Sequence, residues 1–68
     1  MVTDKTYYVG DCNYPGYYAT FSNEIAAHDY SDFIDENGAC SYVLTNKPVS
    51  AEGEEFVFED HDGWVRPY

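Results

Sequence analysis

Cys12, Cys40, His28 and His61 are the residues of this 68-residue chain best able to act as nucleophile, base or soft metal ligand. A catalytic thiol needs a base within hydrogen-bond reach and a further group to orient that base. None of the four has a sequence neighbour that would activate it, and so short a chain leaves little room for a substrate cleft. Zinc wants close ligand pairs of the CxxC or HxxxH kind, and none is present. With no secretion signal, both cysteines are expected as free, buried thiols, a single bridge between two strands being the alternative.

Carboxylates are the other resource. The chain holds 13 Asp and Glu against 3 Lys and Arg, a formal charge of −10. General acid–base catalysis sets one carboxyl in an apolar environment and another in a polar one, whereas almost every acid here reads as solvated. No glycine-rich phosphate loop is present. The expectation is a non-enzyme without a cofactor. Glu59-Asp60-His61-Asp62-Gly63 resembles part of an EF-hand loop, but Phe58 stands where a further Asp is wanted and the distal glutamate is missing. A calcium-binding module built on Asp60 and Asp62 is one alternative reading. A hairpin turn accounts for the same residues.

The element best able to hold acids in a fixed array is Ser22 to Gly38, SNEIAAHDYSDFIDENG. Ser22 and Asn23 suit a helix N-cap, and Asn37-Gly38 suits its end. At about 100° per residue, Ala26, Ala27, Tyr30, Phe33 and Ile34 fall within an arc of roughly 120°. Asp29, Asp32 and Glu36 gather on the far side, flanked by Glu24 and Asp35. Ile25 lies among these acids, away from the apolar stripe. Acids so close repel each other by roughly 0.2–0.5 kcal/mol per pair, so the array carries a cost without a structural return.

Around this helix the chain reads as strands. Lys5–Cys12 and Tyr17–Phe21 flank the turn Asn13-Tyr14-Pro15-Gly16 and predict a hairpin. Ala39–Thr45 predicts a strand with Cys40, Tyr42 and Leu44 on one side, ended by Asn46-Lys47-Pro48. Val49–Gly53 predicts a loop and Glu54–Asp60 a strand. After the turn His61-Asp62-Gly63, residues 64–68 are expected to run back against that strand. The sum is one α+β domain over residues 1–68, with a single helix packed on a small antiparallel sheet in the order ββαβββ. Phe56, Phe58, Leu44, Tyr42 and Trp64 are the expected sheet side of the core. Eight Tyr, four Phe and one Trp supply the area that so short a chain needs to stay folded.

Composition then limits partners. Lys5, Lys47 and Arg66 are widely separated, which argues against direct binding of nucleic acid or an anionic membrane. No stretch approaches the ~20 apolar residues of a membrane span. The N-terminus has no apolar run for a signal peptide, so a cytoplasmic location is expected. Solubility alone asks for a net charge of about 2–8 in a small domain, with both signs interspersed. This nearly single-signed excess favours a basic protein partner, because opposite fields steer association. The expected contact residues are Glu24, Ile25, Asp29, Asp32, Asp35 and Glu36 on the helix, with Glu55 and Glu59 on the following strand. Glu52, Glu54, Asp60 and Asp62 extend the acidic set.

In size, charge, aromatic content and lack of a catalytic motif the chain resembles the small acidic inhibitors encoded by phages and mobile elements. These include anti-CRISPR and anti-restriction proteins, several of which mimic nucleic acid. Acidic immunity proteins that plug a toxin nuclease look similar by the same criteria. The resemblance implies a protein that presents carboxylates as a phosphate backbone does and occludes the basic channel of a nucleic-acid-handling partner. It assigns no residue and no oligomeric state.

Overall fold

A computed structural model describes residues 5–49 and 53–67. Five elements follow in chain order: β1 (Tyr7–Asp11), β2 (Tyr17–Phe21), α1 (Glu24–Glu36), β3 (Ser41–Leu44) and β4 (Val57–Asp60). The architecture is α+β, one helix packed on a four-stranded sheet of order β3-β1-β2-β4. The β1–β2 and β1–β3 pairs are antiparallel, as expected, but β4 joins β2 in parallel. The sheet is therefore mixed rather than antiparallel.

The helix ends where its capping residues say it should. The Asn23 side chain accepts from the backbone N–H of Ile25 and Ala26 at 2.8 and 3.2 Å. At the other end Gly38 takes a φ of +97°. Its N–H donates to Asp35 O and that of Ala39 to Ile34 O, which satisfies two carbonyls the helix leaves open. The stripe Ala26, Ala27, Tyr30 and Ile34 faces the core as expected. Buried Ser31 joins it and bonds Ser41 of β3, whose hydroxyl donates to Ser31 O at 3.1 Å.

Sheet register divides the side chains in two. Tyr7, Val9, Ala19, Phe21 and Val43 share the face under the helix, and Val9, Ala19, Phe21 and Ala27 form the buried core. Tyr42, Leu44 and Phe58 lie on the reverse face, with Tyr8, Gly10 and Tyr18. Phe56 joins them against Tyr18, ring centroids 5.3 Å apart. Of the expected core set, then, only Trp64 packs against the core beneath the helix. Alternation separates two faces but does not say which receives the helix. Close approach does: Ala19 and Ala27, both fully buried, let helix and sheet backbones come together, and bulky rings would hold them apart.

The reverse face is therefore a second aromatic layer. Phe58 stacks on Tyr18 at 5.6 Å and meets Tyr8 edge-on at 5.7 Å, and Lys47 Nζ stands 5.1 Å from its ring centre. Lys47 and Phe56, in the connection between β3 and β4, both touch this face. Such ring pairs each add about 0.5–1.5 kcal/mol beyond the area they bury.

Among the described residues no hairpin follows β4. Asp62 accepts from Ser22 N–H and Oγ at 2.8 and 3.1 Å, which turns the chain toward the helix. Trp64 then packs edge-on against Tyr30, centroids 5.1 Å apart, and beside Phe33 at 5.6 Å. The expected return strand is replaced by a strap across the helix flank, because Trp64 finds more apolar surface there than an edge strand offers. Residues 1–4, 50–52 and 68, and with them Glu52, part of the expected Val49–Gly53 loop and the end of the expected return strand, lie outside the described residues.

Candidate functional site

The outer face of α1 carries the acids in the expected array. Glu24, Ile25, His28, Asp29 and Asp32 line one shallow depression. Ile25 is 79 % exposed in the midst of them. An aliphatic side chain left in water beside carboxylates gains nothing for the fold; on an interface it supplies the apolar contact that charge alone lacks.

The array is not uniformly free. Arg66, the chain's one arginine, reaches over from the strap. It pairs with Asp29 Oδ1 at 3.2 Å and Glu36 Oε2 at 3.1 Å, and also donates to Asp29 O. Desolvation of the guanidinium, the largest single influence, lowers the Arg66 pKa, but hydrogen bonds and attraction from Asp29 and Glu36 together raise it above the usual value. Glu36 sits in the last helical turn, where the dipole disfavours negative charge and no basic residue is present, so the strap supplies the missing cation. Asp35 accepts from Ser41 N–H at 2.8 Å and ties the helix end to β3. Glu24 and Asp32 are exposed.

Glu55 and Glu59 stand apart. Glu59 lies on the edge strand β4 and bonds His61 Nε2 at 2.9 Å, and α1 makes no contact with that strand. His61 and Trp64, both against Tyr30, occupy the intervening side of the helix. The structure thus yields an acidic helix face and a separate acidic edge rather than one continuous surface. Asp60 and Asp62 have local duties: Asp60 accepts from Asp62 N–H at 2.8 Å, and Asp62 accepts from Ser22. Among the described residues no three His, Cys, Asp or Glu side chains converge on a common point.

Two expectations from the sequence need correction. Cys12 and Cys40 are free thiols but exposed, not buried. They sit opposite each other where β1 ends and β3 begins, and Cys12 donates from both N–H and Sγ to Cys40 O at 3.0 and 3.1 Å. There is also room for a cleft. A cavity of about 620 Å³ opens between the C-terminal half of α1, the sheet and the β1–β2 turn. Asp11, Tyr14, Tyr17, Tyr30, Phe33 and Ile34 are among its lining residues. The sequence signal was the density of tyrosines around Pro15, read there as the turn and strand of a hairpin.

Tyr17 and Tyr30 are held in the cavity wall. The Tyr17 hydroxyl meets His61 Nε2 at 3.2 Å, and burial together with Glu59 pushes its pKa up to about 12. Burial and the nearby Glu59 and Asp11 carboxylates push Tyr30 up as well. Both rings stay neutral across the physiological range.

With this geometry in hand, the class the coordinates define is a small α+β domain with an acidic helix face and one aromatic cavity. Comparison with protein-family models, with curated proteins and with solved structures found no match. Among the described residues no helix is long and apolar enough to cross a membrane.

Proposed function

We propose that this chain is an acidic binding inhibitor. It docks the outer face of α1 into the cationic channel of a nucleic-acid-handling protein, such as a CRISPR effector or a restriction enzyme, and blocks substrate entry without turnover. The observation that carries this reading is Ile25, 79 % exposed within a depression edged by Glu24, Asp29 and Asp32. The carboxylates would replace the substrate's phosphates in the partner's field, and Ile25 would be the apolar anchor. Glu24, Ile25 and Asp32 form the centre. Asp29 and Glu36 contribute less, because Arg66 already offsets them. Glu55 and Glu59 would engage only a partner large enough to reach the sheet edge. A phage or mobile-element origin and a cytoplasmic site of action belong to the same proposal.

The test is competition. Immobilised protein is used to retain proteins from a bacterial lysate, and elution with duplex DNA or RNA is compared with elution by an uncharged polymer. Elution of a nucleic-acid-binding protein by nucleic acid alone is expected, with loss of retention in the Glu24→Lys/Asp32→Lys variant. These two positions are chosen because neither takes part in the Arg66 clamp. Retention that this folded variant keeps in full would rule out the helix face.

A further inference from the structure

The aromatic cavity has the chemistry of a cation site, and its argument does not use the outer helix face. Val9, Ile34 and Ala39 give it an apolar lining. Four rings border it: Tyr14, Tyr17, Tyr30 and Phe33. The Asp11 carboxylate is part of the same wall, and among the described residues no lysine or arginine lines it. Its volume, about 620 Å³, is in the range that holds small ligands, roughly 300–1,000 Å³.

A neutral apolar ligand would make no use of the carboxylate. An anion would meet Asp11 and the negative faces of the rings. A small metal ion would want several oxygen ligands and would find one carboxylate among aromatic rings, with Asn37, whose amide N–H donates to Phe33 O, the other polar lining residue. The group that satisfies every wall is a bulky, weakly hydrated cation: ring faces attract it, and a single carboxylate balances its charge. We infer that this cavity binds an alkylated ammonium group, with Tyr14, Tyr17, Tyr30 and Phe33 as the cage and Asp11 as the counter-charge.

The cage is largely built before any ligand arrives. The Tyr17 hydroxyl is held by His61, and Tyr30 is wedged among Phe21, His61 and Trp64 at centroid distances of 5.1–5.3 Å. Asp11 is oriented by Asn13 N–H, which donates to its Oδ1 at 2.8 Å. Tyr14, 68 % exposed at the mouth, is the wall least tied to the fold. Fixed walls lower the ordering cost of binding.

Titration of the intact protein, followed by amide chemical shifts, tests the inference with three probes. These are choline, its neutral isostere with tert-butyl in place of trimethylammonium, and an acetylated, amidated trimethyl-lysine. Choline or trimethyl-lysine should bind at least about tenfold more tightly than the neutral isostere, the preference a partly desolvated cation–π site confers. Shifts should centre on Tyr14, Tyr17 and Tyr30. Tighter binding of choline marks the ligand as a free small molecule, and tighter binding of trimethyl-lysine marks it as a modified side chain. Tyr14→Ala and Asp11→Asn should weaken either cation several-fold. Equal affinity for the neutral isostere, or no binding of either cation to the folded protein, overturns the inference.

Discussion

Arg66 grips Asp29 at 3.2 Å, across 37 residues of sequence, and so fastens the last stretch of chain to its one helix. The same guanidinium holds Glu36 and lies 5.7 Å from the centre of the Phe33 ring. One side chain thereby couples the strap, the acidic helix face and the aromatic flank.

Replacing Arg66 with methionine keeps an unbranched side chain and removes the charge that faces Asp29, Glu36 and the Phe33 ring. A modest loss of stability is expected, as for other solvent-facing ion pairs. It should shrink as salt rises, because such charges are screened over about 8 Å at physiological ionic strength. Urea melts of both proteins at low and high salt measure it. A loss independent of salt would assign the role of Arg66 to packing.

Gly10 faces the Tyr42 ring so closely that an added Cβ would lie 2.6 Å from its Cζ. Gly10 pairs with Tyr42 on one side and Tyr18 on the other, so the Tyr42 ring crosses the glycine to reach Tyr18. Gly10→Ala should destabilise by about 1–3 kcal/mol, as overpacking does. In a Tyr42→Ala background most of that cost should vanish. A double-mutant cycle gives the coupling, and strict additivity would mean that the ring is not what Gly10 accommodates.

The Tyr42 hydroxyl, bonded to Tyr18 and partly desolvated, has its pKa pushed up to about 12. Tyr17 is raised to about 12 by burial and by Glu59. In the unfolded chain both ionise near pH 10. The folded state therefore binds more protons between these values, and stability falls as pH rises from about 10 through about 12. Phenolate absorbance should show Tyr17, Tyr30 and Tyr42 ionising later than the other tyrosines, and one late step should disappear in Tyr42→Phe. Titration of every tyrosine near pH 10 in the folded protein would contradict the Tyr18–Tyr42 bond.

Both thiols are open to solvent and should be alkylated in the native state. The Cys40 pKa is raised, first by its bond with Cys12 and then by the charges around it, including Asp35 and Asp11. Since the thiolate is the reactive form, Cys40 should react several-fold more slowly near about pH 8 than the same cysteine in the unfolded chain. Cys12→Ala should speed it. Peptide mapping after timed iodoacetamide treatment reads both rates, and equal rates in wild type and variant would separate the two thiols.

By itself the sequence determined what local chemistry determines. Asn23 and Asn37-Gly38 mark the ends of α1, its apolar stripe and acidic arc follow from spacing, and the Asn13–Gly16 turn joins β1 to β2. Each of these depends on residues within one helical turn or one hairpin. Tertiary structure decided the rest. Which sheet face met the helix depended on how near two backbones could come, and that favoured Val9 and Ala19 over Phe56 and Phe58. The parallel docking of β4, the strap that brings Arg66 to Asp29 and the cavity walled by Asp11, Tyr14, Tyr17 and Tyr30 all join residues far apart in the chain. Contacts of that kind leave no periodicity behind, because they are set by competition among many possible partners for the same buried surface.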